Sequence, residues 1–480
     1  MRRLCVSAAH KSSGKTTLTI GLCAALAGRG VVVQPFKKGP DYIDPMWLSA
    51  AAGRTCWNLD FHTQSNAAIR SLLATHAADA DVAVIEGNKG LHDGMDLEGS
   101  DSSAALAKLV DAAVVLVVDT SGVTRGIAPL LAGYRAFDPT VRCAGVILNK
   151  VAGPRHESKL RAAIERYVGV PVLGAVRRSA DLTIVERHLG LIPSNETLEA
   201  RAVIDRIRAA VEREVDLDRV LAAAATDPVS VVPPSPLRSS RVVSAAPVRI
   251  AVARDAAFGF YYPDDLAALT AAGAEVVSFD TLRDTALPPD VDGLFIGGGF
   301  PETHMVALEA NASLRVALRM ALAAGLPAYA ECGGLMYLSR RITWQGRSCA
   351  MVGALPADTV MHERPHGRGY MRLRETAAMP WPGGHPALAH AAHEFHYSSL
   401  ENLADTVRFA YDVVRGEGIT GRHDGIVMGR TLATYAHLRS VGDWPWAERF
   451  VAFIDSCRRP HHRTGNGNRG GMEEKAMPSS

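Results

Sequence analysis

The segment Ser12-Ser13-Gly14-Lys15-Thr16-Thr17 follows the apolar run Leu4–Ala8 and opens a helical pattern over Thr16–Ala27. A strand, a glycine-bearing turn ending in lysine and threonine, and a helix make a phosphate loop. Backbone N–H groups and the positive end of the helix face an anion there. In the pattern GxxxxGK[ST], Gly14, Lys15 and Thr16 match, and Ala9 stands where the first glycine belongs. Such a loop is built at the edge of a parallel sheet, which restricts the chain around it to an α/β architecture.

The flanking sequence agrees. Candidate strands Leu4–Ala8, Val31–Phe36, Val82–Glu86, Ala113–Val118, Ala144–Leu148 and Val172–Leu173 alternate with helical stretches such as Thr16–Ala27, Ser103–Leu109 and Glu157–Tyr167. That alternation predicts a doubly wound parallel sheet with helices on both faces, over residues 1–225. Residues 226–247 carry Pro228, Pro233, Pro234 and Pro236 among serines and arginines and read as a semi-rigid linker. A second alternating α/β pattern covers 248–456. The tail, 457–480, is polar and glycine-rich and is expected to be disordered.

Composition excludes several classes. With 480 residues, 48% apolar and 21% charged, the chain can bury two or three full cores. A net charge of +2 gives no electrostatic ground for a nucleic-acid or anionic-membrane partner, and no apolar run is long enough to span a bilayer. The first residues reach Lys11 too soon for a secretory signal, and the seven scattered cysteines form no CxxC pair. A reducing cytoplasm is expected.

Two further clusters lie at strand ends. Lys37-Lys38-Gly39-Pro40-Asp41-Tyr42-Ile43-Asp44-Pro45 sets two carboxylates beside two lysines, a set able to hold Mg²⁺ and neutralise anions. It also reads as a plain strand-to-helix loop with Asp44 as N-cap and Pro45 at the first helical position. Glu86 closes the strand Val82–Ile85 and is followed by Gly87-Asn88-Lys89-Gly90-Leu91-His92-Asp93-Gly94. A carboxylate ending a buried strand is costly unless paired or metal-bound.

The second pattern carries different chemistry. Cys332 follows the strand Leu326–Ala330 and precedes Gly333-Gly334 and the run Leu335–Leu338, as in a nucleophile elbow. Gly297-Gly298-Gly299, after Leu294–Ile296, can present N–H groups to an oxyanion. His437, on a late strand, is the candidate base. The other cysteines, Cys5, Cys23, Cys56, Cys143 and Cys349 among them, read as small core residues.

Gly-Lys-Thr-Thr, the string Gln34–Pro45, Asn58-Leu59-Asp60, Glu86-Gly87 with Gly90-Leu91-His92-Asp93-Gly94, Asn149 and Arg187-His188-Leu189-Gly190-Leu191 together resemble the cobyrinic acid a,c-diamide synthases, glutamine-dependent tetrapyrrole amidases. The first part is similar to dethiobiotin-synthetase-like amidoligase domains, and the second resembles a class I glutamine amidotransferase domain. The resemblance covers residues 3–455. It implies that Ser13, Gly14, Lys15, Thr16, Thr17 and Asn149 serve ATP, with Asn149 reading the base or, in its plainer role, shaping the turn at a strand end. It implies that Thr16, Asp41 and Glu86 hold Mg²⁺, and that Asp41, Asp44 and Asp93 serve the reaction. Cys332 and His437 would hydrolyse glutamine, with Gly298, Gly299 and Gly333 around the oxyanion. Many class I domains place a glutamate two residues after the histidine. Here Arg439 stands there, so a Cys–His pair without a third member is expected. The architecture often forms homodimers. His393-Glu394-Phe395-His396-Tyr397-Ser398 recurs in the group, with a structural or interface role.

The expected reaction is amidation of peripheral acetates on a tetrapyrrole, favouring cobyrinate or hydrogenobyrinate. Asn88-Lys89 resembles instead the amidases of sirohaem or (nickel-)sirohydrochlorin. A partitioning-type switch ATPase is the alternative of another class, opposed by the intact Cys332, Gly297–Gly299 and His437.

Overall fold

The computed structural model describes residues 1–184, 186–187, 190–195, 199–224, 247–442 and 444–458. The expected linker, apart from Pro247, lies outside them, as do His188, Leu189 and the tail beyond Arg458. The last helix, Trp446–Arg458, runs past the expected domain end at 456.

Seven parallel strands form the first sheet: β1 (Arg2–Ala8), β2 (Val33–Lys38), β3 (Trp57–Leu59), β4 (Val82–Glu86), β5 (Ala113–Asp119), β6 (Cys143–Val151) and β7 (Val172–Arg177). Their order is β3-β2-β4-β1-β5-β6-β7. Both faces are covered, so alternate residues of one strand enter opposite cores. Leu4, Val6 and Ala8 join one buried cluster and Cys5 the other. Val82 and Val84 part from Ala83 and Ile85 in the same way. Helix α1 (Lys15–Gly28) starts directly behind β1. Glycine at position 21 lets a later helix, Ala200–Glu214, approach, because a Cβ there would lie 2.5 Å from Val211.

The six expected strands and three named helices are present with ends shifted by a few residues. Strand β3 and helix α3 (Asn66–His76) were not expected, and helix α2 (Ile43–Ala52) starts two residues before the Pro45 start that one reading allowed. Three residues are too few for a period to register. Because β2, β4 and β1 are neighbours, their carboxyl ends bring Lys37–Asp44, Glu86 and the phosphate loop to one crevice.

The second sheet has nine strands. Ala274–Phe279, Val248–Ala253, Gly293–Ile296, Ala328–Glu331 and Thr431–Thr434 run parallel. Four antiparallel strands, His423–Met428, Arg408–Arg415, Gly367–Glu375 and Ala389–His396, extend it. Three adjacent parallel strands end at Gly297, Cys332 and the segment holding His437. The two halves share a core: Tyr42 of the first clusters with Phe260, Tyr262 and Phe300 of the second.

Candidate active sites

Gly14 has φ +88°, a conformation glycine adopts without strain, and a Cβ there would collide with Asn149 Nδ2. That amide donates to the Ser13 carbonyl at 2.9 Å, and its oxygen accepts from Lys150 N–H at 2.9 Å. Asn149 thus braces the phosphate loop. Its side chain faces the loop, which is the strand-end role the residue also had as an alternative to reading the base. Ser13 Oγ donates to the His10 carbonyl at 2.8 Å, tightening the same turn, and Tyr134 donates to the Ala9 carbonyl. Thr17 is half-buried in the first turn of α1.

Lys15 is 8% exposed. Burial lowers its pKa, and Glu86, Asp44 and Asp93 act in the opposite sense. Thr16 Oγ1 donates to Glu86 Oε1 at 2.6 Å and to Asp44 Oδ2 at 3.3 Å. The buried Lys37 ammonium stands among three carboxylates: Asp44 at 2.5 Å, Glu86 at 3.0 Å and Asp41 at 3.8 Å. Burial works against its charge, but the carboxylates outweigh burial and hold its pKa well above the ordinary range. Burial and the neighbouring Asp44 push Asp41 up to about 7. Burial raises Glu86 as well. With an ammonium at the centre, the carboxylates do not converge on an open point. Among the described residues no group of three His, Cys, Asp or Glu forms a ready cation cage.

Asp41, not Asp44, caps α2: its Oδ1 accepts from the N–H groups of Ile43 and Asp44 at 3.0 and 3.1 Å. Asp44 is left facing Lys37 and Thr16. Asp93 is exposed and accepts from Gly90 N–H at 2.8 Å. Glu86 Oε2 is buried and has no hydrogen-bond partner. An orphaned carboxylate oxygen beside a threonine hydroxyl is a donor set that suits Mg²⁺, which takes one or two protein oxygens and completes its shell with phosphate and water.

In the second domain, Cys332 has φ +47° and ψ −99°, a strained backbone for a non-glycine residue, costing about 1–3 kcal/mol. Its N–H donates to the Thr434 carbonyl at 2.7 Å. The glycines beside it are sterically required. A Cβ on Gly333 would lie 2.9 Å from Gly299 N, and one on Gly334 would collide with the Ile296 carbonyl. The backbone of Gly299 therefore lies against the elbow. Gly298 lies against the base, since a Cβ there would be 2.6 Å from His437 Cε1. Gly297 is committed elsewhere: its N–H donates to Tyr261 Oη at 2.9 Å.

The candidate base does have a carboxylate neighbour, contrary to expectation. Glu331 Oε2 lies 3.4 Å from His437 Nδ1, and both are buried. Glu331 Oε1 accepts from Tyr329 Oη at 2.5 Å and Leu438 N–H at 3.0 Å, which fixes its orientation. Burial alone would lower the His437 pKa, but Cys332 and Glu331 outweigh it and raise it to about 10. Arg439 indeed supplies no acid. The residue before the nucleophile does, because Glu331 pairs with Thr434 in the parallel register.

Sequence reasoning also missed what joins the two sites. Tyr42 packs on His437 and His393 with ring centroids 5.2 and 5.6 Å apart. His393 itself stacks on His437 at 4.9 Å and exchanges backbone hydrogen bonds with it. Of the two roles considered for the His393–Ser398 string, His393 takes the interface one. The signal was available: an aromatic flanked by the two candidate acids, Asp41 and Asp44.

Comparison with known proteins covers both halves. Residues 6–192 match the CobQ/CobB/MinD/ParA nucleotide binding domain, and residues 249–443 match the CobB/CobQ-like glutamine amidotransferase domain. Over 454 residues the chain is 49% identical to a cobyrinate a,c-diamide synthase of Magnetococcus marinus, covering 94% of this chain and 97% of that one. It is 41% identical to one from Methanosarcina acetivorans, covering 92% of each.

Proposed function

The chain belongs to the cobyrinate a,c-diamide synthase family, an ATP-using ligase family that amidates cobyrinate with glutamine nitrogen, and from that premise we propose how its residues divide the reaction. Cys332 attacks the glutamine amide, with His437 taking the thiol proton and returning it to the leaving ammonia. Glu331 holds the imidazole. The Gly298 and Gly299 amides receive the oxyanion, and water then releases glutamate from the thioester.

In the first domain Ser13, Gly14, Lys15, Thr16 and Thr17 cradle the phosphates. Thr16 and Glu86, with Asp41 beside them, would hold Mg²⁺, which when bound screens the charge of the transferring phosphoryl group. Transfer of that group to a peripheral acetate turns a carboxylate oxygen into a leaving group. Ammonia replaces it, and the products are an amide, phosphate and ADP. Lys37 orients Asp41 and Asp44 toward the crevice, and Asp93 adds charge near Lys15.

The observation that carries the reading is Tyr42, which lies between Asp41 and Asp44 and forms one wall of the thiol site. A site for activating a carboxylate and a site for releasing ammonia thus share a boundary. The relatives' substrate favours cobyrinate over sirohaem, and the complete Cys332–His437–Glu331 set speaks against a switch ATPase. No helix among the described residues is long and apolar enough to cross a membrane. A cytoplasmic homodimer is part of the same proposal, and sedimentation tests the dimer. The deciding experiment is mass spectrometry of cobyrinate and sirohaem after incubation with protein, ATP, Mg²⁺ and glutamine. Hydroxyl-to-amine changes on cobyrinate, lost in Cys332→Ala, are expected. Changes on sirohaem alone would replace the substrate, and glutamine left intact would remove the amidase reading.

A further inference from the structure

Arg439 occupies the position where many class I domains carry a glutamate, and it is 2% exposed. Its guanidinium reaches in two directions. Within its own domain Nε and Nη2 donate to Asp264 Oδ2 at 2.9 and 2.5 Å, and the group lies 4.9 Å over the Tyr262 ring. Across the boundary Nη2 donates to the Asn58 carbonyl at 2.6 Å and Nη1 to Thr63 Oγ1 at 3.3 Å.

Both cross-boundary acceptors belong to the segment 58–64, the end of β3 and the loop that follows it, whose Asn58-Leu59-Asp60 string has no role in the reaction as assigned above. That loop is fastened to the catalytic bend. Asn58 Nδ2 donates to the carbonyls of Gly39 and Asp41 at 2.9 and 2.8 Å, and Gly39 N–H donates to the Leu59 carbonyl at 2.8 Å. It has further anchors in the second domain. Tyr370 Oη donates to the buried Asp60 at 3.0 Å, and His62 bonds the Met371 carbonyl at 2.8 Å.

The other end of the connection is equally short. Arg439 lies two positions beyond His437, and each residue between and around them is held. His437 bonds the His393 backbone, Leu438 N–H reaches Glu331, and Ser440 N–H reaches Asp265 at 2.6 Å. Hydrogen bonds thus link the Asp41 backbone through Asn58 and Arg439 to the segment that holds His437.

We propose that Arg439 and the 58–64 loop form a coupling strut, which sets the geometry of His437 and Glu331 according to the state of the Asp41–Asp44 bend. The inference rests on the amidase reading above. Arg439 touches no reacting atom and acts as a positioning residue.

The test compares Arg439→Lys and Tyr370→Phe with the unaltered protein, using cobyrinate, ATP and Mg²⁺ with either glutamine or ammonium as nitrogen donor. Amide formed and glutamate released are measured together. For Arg439→Lys the glutamine-supported rate should fall about tenfold relative to the ammonium-supported rate, with more glutamate released per amide. Tyr370→Phe, which removes one hydroxyl and keeps the ring, should shift the same two ratios in the same direction by less. Equal losses with both donors and an unchanged glutamate-to-amide ratio would make Arg439 a structural clamp and overturn the proposal. An unaltered protein that forms no amide with either donor would overturn the amidase reading and this inference with it.

Discussion

Both sites stand at the carboxyl ends of adjacent parallel strands, yet they are built on opposite electrostatic plans. The nucleotide site is crowded with charge: Lys15 and Lys37 face Asp41, Asp44 and Glu86, and one carboxylate oxygen has no partner. The thiol site pairs the His437 imidazole with one carboxylate, amid a set of glycines packed at contact distance. The difference follows from the chemistry. Phosphoryl transfer is mostly positioning and neutralisation of charge, whereas amide hydrolysis needs a covalent nucleophile in a fixed frame. The first site keeps valences for its ligands, and the second is assembled beforehand.

The comparison breaks first at Cys332. Cys332→Ala should lower glutamine-supported amidation by about 10⁴-fold or more while ammonium still supports the reaction. Loss with both donors would mean the sites cannot be separated.

Lys37→Met should do the reverse in kind, removing amidation with either donor. It leaves three carboxylates without their cation, and unfolding free energy should drop by about 3–5 kcal/mol in denaturant titration. A variant of normal stability would show that the carboxylates do not depend on the ammonium.

Two glycine substitutions sharpen the contrast. Gly14→Ala and Gly333→Ala should each cost about 1–3 kcal/mol, the first through its φ of +88° and both through crowding. Activity assays should separate them: Gly14→Ala reduces amidation with both donors, Gly333→Ala with glutamine alone.

A further contrast is in pH dependence. Asp41 and His437 both bind protons more tightly in the folded protein. The stability each contributes is therefore greatest at low pH and falls as pH rises. For Asp41 the fall runs from its ordinary value near 3.8 to about 7, a window Asp424 shares up to about 6. For His437 it runs from 6.5 to about 10. Denaturant titrations across pH should lose the upper slope in His437→Gln and part of the lower slope in Asp41→Asn. An unchanged upper slope in His437→Gln would assign that titration elsewhere.

What the sequence made legible was local. The phosphate loop, the end of β4 at Glu86 and the elbow at Cys332 each announce themselves within ten residues, because a strand end, a glycine and a reactive group fall in order. What it hid was relational. Glu331 reads as a neighbour of the nucleophile. It becomes the partner of His437 only because Ala328–Glu331 pairs with Thr431–Thr434, about a hundred residues away. Arg439 reads as the loss of an acid, and only the packing of two domains turns it into a cross-boundary donor. Asp41 and Asp44 are near-identical on paper. Which one caps α2 depends on the bend between them.

Tyr42 has a consequence for how such a protein can change over generations. One aromatic ring, flanked by the two acids proposed for one reaction, rests on the base proposed for the other. A substitution that tunes the bend to a differently shaped acid substrate also alters the wall of the glutamine site. Substrate range and nitrogen supply are then inherited together. Lineages that broaden the first should carry compensating replacements around His393, Phe260 and Tyr262.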